Sequence, residues 1–240
     1  MRPLKPNTSY HIFNHANGFE NVFREPENYR YFLEKYRQHI SPVTETFAYC
    51  LMPNHFHLVV RIRKRETIEK LILKKNSNST LSKVQNFGKG NKIESSSISD
   101  AVIEKFLSKQ FANFFSCYTQ SFNKRYNRMG SMFIKNFKRE PITDKQHFFN
   151  AVIYTHRNPV HHGFRTNFAD WPYSSYFDVL EMKSDIIEIE KLLKTFGGRE
   201  TFFEMHRQNL ANFVIDDQPV KTKKHHDQTN TLLRKPGLPA

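Results

Sequence analysis

Three observations predict an α+β fold. Four segments read as strands, at residues 9–16, 44–51, 56–62 and 132–140. Long stretches between and after them space their apolar residues three and four apart, as buried helix faces do. Helix-start chemistry stands where those stretches begin, at Glu25-Pro26-Glu27, Ser99-Asp100 and Thr143-Asp144-Lys145-Gln146.

In chain order, Ser9 to Ala16 is the first strand. Pro26 is a first-turn proline, and the flanking glutamates favour a helix N-terminus, so a helix should run from there to about His39. Thr44 to Leu51 is the second strand, joined to 56–62 through the turn Met52-Pro53-Asn54. Residues 64–71 read as a basic amphipathic continuation. Residues 74–99 are dominated by Asn, Ser, Lys and Gly, the composition of a flexible insertion. A long helix from Ser99 to about Tyr126 follows, with Ile103, Leu107, Phe111, Phe114, Tyr118 and Phe122 as its core stripe. Its basic exit, Asn123-Lys124-Arg125-Tyr126-Asn127-Arg128, stops at Met129-Gly130. Residues 132–140 carry a basic face of Lys135, Lys138 and Arg139. The next helix should end at Asn158, because Pro159 disfavours helical geometry before it. Trp171 reads as the anchor of an ordered loop, and 186–214 as two helices broken at Gly197-Gly198.

The most informative stretch is Met52-Pro53-Asn54-His55-Phe56-His57-Leu58-Val59-Val60. Side chains alternate along a strand, so His55 and His57 share a face, with Cα atoms roughly 6.5 Å apart, close enough to share a metal ion. Phe56, Leu58, Val60 and Ile62 take the other face and can bury. At about 100° per residue, Tyr154 and Asn158 fall opposite the apolar face of Phe148, Phe149, Val152, Ile153 and His156. Tyr154 is thus expected to point outward, with Asn158 one turn further on. His156 reads as structural, and His161-His162 as a solvated or phosphate-contacting pair.

Composition limits the function classes. Lys plus Arg is 37 and Asp plus Glu is 23, a formal charge of +14, and there are 23 Phe residues. Such a balance favours a polyanion, most simply nucleic acid, with aromatics suited to unpaired bases. Two cysteines, Cys50 and Cys117, show no zinc pattern and suggest no disulfide framework. No apolar run approaches the roughly 20 residues of a membrane span, so a cytoplasmic protein is expected.

The stretch 51–60 resembles the HUH motif of single-tyrosine transposases of the insertion-sequence type, especially the REP-associated tyrosine transposases. Phe122 to Gly130, Tyr154-Thr155-His156-Arg157-Asn158-Pro159-Val160 and Asp170-Trp171-Pro172-Tyr173-Ser174-Ser175-Tyr176 are similar to further segments of that family. The resemblance covers roughly 9–180. It implies a ferredoxin-like antiparallel sheet with helices packed on one face. It also implies a domain at 1–180, leaving 181–217 as a helical extension and 218–240 as a basic disordered tail. Its chemistry implies that His55 and His57 hold Mg²⁺ or Mn²⁺, with Asn158 as an oxygen ligand, and that Tyr154 attacks phosphorus in single-stranded DNA to leave a 5′-phosphotyrosine. Lys124, Arg125, Arg128, Lys135, Lys138 and Arg139 would bind hairpin DNA, the protein acting as a monomer or homodimer. Two alternatives stand beside it. One is a domesticated hairpin-binding protein that mobilises nothing. The other is a replication initiator or relaxase-like nickase, which often carries a three-histidine cluster that this sequence does not display.

Overall fold

A computed structural model describes residues 2–18, 20–81 and 98–208. Strands β1 (Ser9–His15), β2 (Thr44–Met52), β3 (His55–Ile62) and β4 (Lys138–Pro141) form one antiparallel sheet in the order β2-β3-β1-β4. Helix α1 (Pro26–His39) links β1 to β2. Helices α2 (Arg65–Leu81) and α3 (Asp100–Arg125) lie between β3 and β4. Apart from α2 this is the βαββαβ order of a ferredoxin-like domain. Helix α4 (Lys145–His161) follows, then a 3₁₀ turn (Phe168–Asp170), α5 (Tyr176–Leu180), α6 (Ile189–Phe196) and α7 (Arg199–Arg207).

The two faces of the sheet divide the labour, as strand alternation requires. Phe56, Leu58, Val60 and Ile62 are buried beneath α1 and α3, with the Phe32 and Phe56 rings 5.3 Å apart. The whole α3 stripe, Ile103 to Phe122, is buried, and each such aromatic or aliphatic side chain contributes about 2–3 kcal/mol. Tyr118 belongs to this core, its hydroxyl donating to Val22 O at 2.6 Å. The crossover pair α1 and α3 thus sits on one face as expected. Helix α4 adds a cover to the opposite face, against β2 and β3.

Several boundaries differ from the sequence expectation. Residues 65–81 form one helix because Ile68 and Ile72, one turn apart, are buried and anchor a polar C-terminal half. The expected insertion at 74–99 therefore begins inside a helix, and its centre, 82–97, lies outside the described residues, as does the 218–240 tail. Strand β4 starts only at Lys138: neighbours Met132 and Phe133 are both buried, against a two-residue period, and Asn136 takes a positive φ of 66°. Helix α4 is capped by Asp144, not Thr143. The Asp144 carboxylate accepts from His147 N at 2.8 Å, favoured over a hydroxyl by the helix dipole. The helix also runs through Pro159 to His161, since a proline so near the end costs few helical hydrogen bonds and its ring is buried.

The segment after α4 closes the exposed edge of β2. Trp171 Nε1 donates to Leu51 O at 2.9 Å, Leu51 N to Tyr173 O at 2.9 Å, and Ser175 N to Tyr49 O at 2.9 Å. An edge strand is thereby capped as its unpaired groups demand. No helix among the described residues is long and apolar enough to cross a membrane.

Candidate active site

The face of the sheet turned away from α1 and α3 carries most of the chain's chemistry. His11, Phe13 and His15 alternate along β1, and His55 and His57 along β3. The register sets Phe13 beside His57 and His15 beside His55. His55 and His57 are buried. His162, just past the end of α4, brings its ring to within 4.6 Å of His55. One nitrogen from each of His55, His57 and His162 falls within 4.8 Å of the others, a spacing that can hold a metal ion.

Helix α4 supplies the remaining groups. Asn158, fully buried, places Oδ1 at 2.9 Å from His55 Nε2, while Asn54 Oδ1 lies 2.7 Å from His55 Nδ1. A neutral imidazole has one N–H, so only one of these contacts is an ordinary hydrogen bond. With the proton on Nδ1, given to Asn54, the Nε2 lone pair lies on the Asn158 side, where a cation bound to it would also reach the Asn158 oxygen. Adjacent ligands of an octahedral ion at about 2.1 Å are about 3 Å apart, so the His55–Asn158 pair fits such an ion. Burial first, then the neighbours His11, His55, His15 and His162, hold the His57 pKa well below its ordinary value. The ring is therefore neutral, as a ligand must be.

Tyr154 packs edge-on to His57 at 5.6 Å and to His11 at 6.0 Å, with His161 stacked on it at 5.3 Å. The helical-wheel reading separates it from the Phe148 face correctly, but it does not point to solvent and is 8% exposed. Both sides of α4 are covered. The sheet takes the Tyr154–Asn158 side. That side meets β1 and β3, whereas Phe148 packs on Phe47 of β2 and Phe149 on Phe196 of α6. Phe47 is the extra residue of a β-bulge between Thr46 and Ala48.

Buried His156 is structural, as read. His206 Nδ1 donates to Phe202 O at 2.7 Å, which leaves its Nε2 to accept from His156 Nδ1 at 2.9 Å; His156 Nε2 then accepts from Ser175 Oγ at 2.8 Å. This chain ties α4 to α7 and to the strap on β2.

The expected basic residues separate into groups. Lys138, paired with Phe13, is exposed on the histidine side of the sheet, at the end of the row His57, Phe13, Lys138. Lys124 and Lys135 are also exposed. Arg125 pairs with Glu25 at 2.6 Å. Arg128 is held by Glu20 at 2.5 and 2.9 Å and donates to Gly130 O and Ser131 O, so it braces its own loop. Arg139 corrects the expectation: it is buried on the other sheet face with its guanidinium 4.3 Å from the Phe137 ring, because strand alternation turns it away from Lys138.

His162 is the residue that sequence reasoning missed. It also removes the distinction drawn from initiator and relaxase nickases, since the chain does assemble three histidines.

Fold and site together define a ferredoxin-like sheet that presents a histidine cluster to a tyrosine on a covering helix. The chain resembles the REP-associated tyrosine transposases. A Haemophilus influenzae protein of that name is 23% identical over 177 residues, spanning 72% of this chain and 75% of the relative. A solved REP-associated tyrosine transposase bound to a REP hairpin covers 78% of this chain and 87% of its own, with a TM-score of 0.46 and 15% identity. No family model matches the chain.

Proposed function

We propose that this protein is a metal-dependent nicking and joining enzyme for single-stranded DNA at hairpins, a transposase of the single-tyrosine type. The observation that carries the reading is the convergence of Tyr154 and Asn158, from one helix, on the His55, His57 and His162 donors. A divalent cation held by these histidines and Asn158, Mg²⁺ or Mn²⁺, would polarise a phosphate oxygen.

The chain's own residues do the rest. Tyr154 Oη forms a bond to phosphorus and gives up its proton; the bond from phosphorus to the 3′-oxygen breaks, and that oxygen takes a proton. A 5′-phosphotyrosine and a free 3′-hydroxyl result, with the ester retained for rejoining. A phenol has an ordinary pKa of about 10, so a cation beside it favours the phenolate needed for attack. Packing of Tyr154 against His57, His11 and His161 limits its rotamers and orients the attack. Lys124, Lys135 and Lys138 are the proposed phosphate contacts, and the +14 charge draws the strand in.

The test is cleavage of a labelled single-stranded hairpin oligonucleotide in Mg²⁺, in Mn²⁺ and in EDTA, for the wild type and a His55→Ala/His57→Ala variant whose fold is checked by circular dichroism. Cleavage is expected only from the wild type with metal. Equal cleavage in EDTA, or by the folded double variant, removes the metal assignment.

A further inference from the structure

We propose that His11 is a positioning residue for the metal centre: it holds His57 in the tautomer that offers Nε2 to a divalent cation, and its ring also braces Tyr154. The inference rests on the reading of the histidine cluster as a metal site.

His11 lies on β1 opposite Val59, so it meets His57 across the diagonal of the sheet. It is 1% exposed and stands outside the donor cluster of His55, His57 and His162. His11 Nε2 and His57 Nδ1 are 3.0 Å apart. The ring planes differ by only 12°, yet the centroids are 5.1 Å apart, so the rings meet edge to edge with the bond near their common plane. That is good geometry for N–H···N.

Two arrangements satisfy such a bond, and they exclude one another. If His11 donates from Nε2, His57 accepts at Nδ1, its own proton is on Nε2, and no lone pair remains for a cation. If His57 donates from Nδ1, its Nε2 lone pair is available and His11 carries its proton on Nδ1. Only the second is compatible with a metal site, and a ligating histidine is ordinarily fixed through its second nitrogen in this way. The partner here is a neutral imidazole, so it adds no negative charge to the centre. His11 also stacks on Phe13, with centroids 5.1 Å apart, and approaches Tyr154 edge to face, with centroids 6.0 Å apart and planes at 85°. One side chain thus sets the orientation of a ligand and limits the travel of the nucleophile.

The test uses the full chain with MnCl₂ as the probe. Free Mn²⁺ is counted by electron paramagnetic resonance to give the Kd. The His57 tautomer is read separately from imidazole ¹⁵N shifts of the metal-free protein. The wild type should show the proton of His57 on Nδ1. His11→Leu, which removes the acceptor at similar volume, should weaken Mn²⁺ binding about 10- to 100-fold. His11→Gln, whose amide oxygen can reach the same place, should restore most of it. With DNA, kcat should fall in His11→Leu while KM stays near the wild-type value. A wild-type His57 proton on Nε2, or unchanged Mn²⁺ affinity in folded His11→Leu, overturns the inference alone. Failure of the wild type to bind Mn²⁺ overturns the metal reading and this inference with it. The tautomer measurement decides the matter even if His11→Leu does not fold.

Discussion

Acid should loosen the cover of α4 through His206. This ring is fully buried, and its pKa is lowered to about 4 from an ordinary 6.5, chiefly by burial and further by the Arg157 charge, against a raising hydrogen bond to Phe202 O. The titratable and charged groups facing it are His156 and Arg157 of α4 and Tyr176 of α5. The unfolded chain binds a proton to this histidine below 6.5, whereas the folded one does not until about 4. The unfolded state therefore holds more protons in that window, and stability falls as pH falls through it. Between pH 7.5 and pH 5 the loss from His206 is about 2 kcal/mol. His156, also lowered by burial and then by His206, acts in the same direction. Urea unfolding at the two pH values gives the total, and His206→Gln isolates the term. Its amide oxygen can still accept from His156, yet it does not titrate. The variant should be less stable at pH 7.5 by about 1–2 kcal/mol, for altered packing and one poorer hydrogen bond. Its further loss on acidification should be about 2 kcal/mol smaller than that of the wild type. Other buried histidines, His57 among them, shift the same way, so the difference between the two proteins is the observable. An identical pH dependence in both refutes the reasoning.

Three further outcomes are expected. His162→Ala should weaken Mn²⁺ binding at least 10-fold in a titration followed by thermal shift, with little change in the metal-free Tm; unchanged affinity would remove His162 from the ligand set. Arg128→Met should lower stability by about 1–3 kcal/mol in urea unfolding, because Glu20 and two loop carbonyls lose their donor; an unchanged midpoint would show that the loop holds itself. Hairpin DNA affinity should fall steeply as salt rises from 50 to 200 mM, by about 10-fold or more if even a few phosphates are neutralised; a flat response would argue against electrostatic binding.

The parts of the fold that were legible in the sequence are those governed by local periodicity. The α3 stripe and the two faces of β3 follow from residue spacing alone, and all of those apolar residues are buried. His55 and His57 share a face for the same reason. His11 and His15 carry the same signal, since His11, Phe13 and His15 alternate along β1. What spacing does not give is register: nothing local sets Phe13 rather than His11 beside His57. His162 was illegible for a related reason. Its position depends on α4 continuing through Pro159, where packing of the ring outweighs a lost hydrogen bond. Tyr154 was placed on the correct side of its helix, but a wheel cannot show that a second layer covers each side. Arg139 misled because basic residues close in sequence look like one surface, yet strand alternation turns Arg139 away from Lys138.

The most direct measurement is a search for the covalent intermediate. Wild-type protein is incubated with Mn²⁺ and a single-stranded hairpin oligonucleotide, resolved on a denaturing gel, and the DNA-linked peptide is mapped by mass spectrometry. The adduct should be a 5′-phosphotyrosine on the peptide that contains Tyr154. Tyr154→Phe removes one oxygen and keeps the ring, so the variant should fold, bind the hairpin and form no adduct. An adduct that persists in Tyr154→Phe and maps to Tyr118 or Tyr126 would contradict the assignment, and so would a wild type that cleaves the hairpin without ever becoming linked to it.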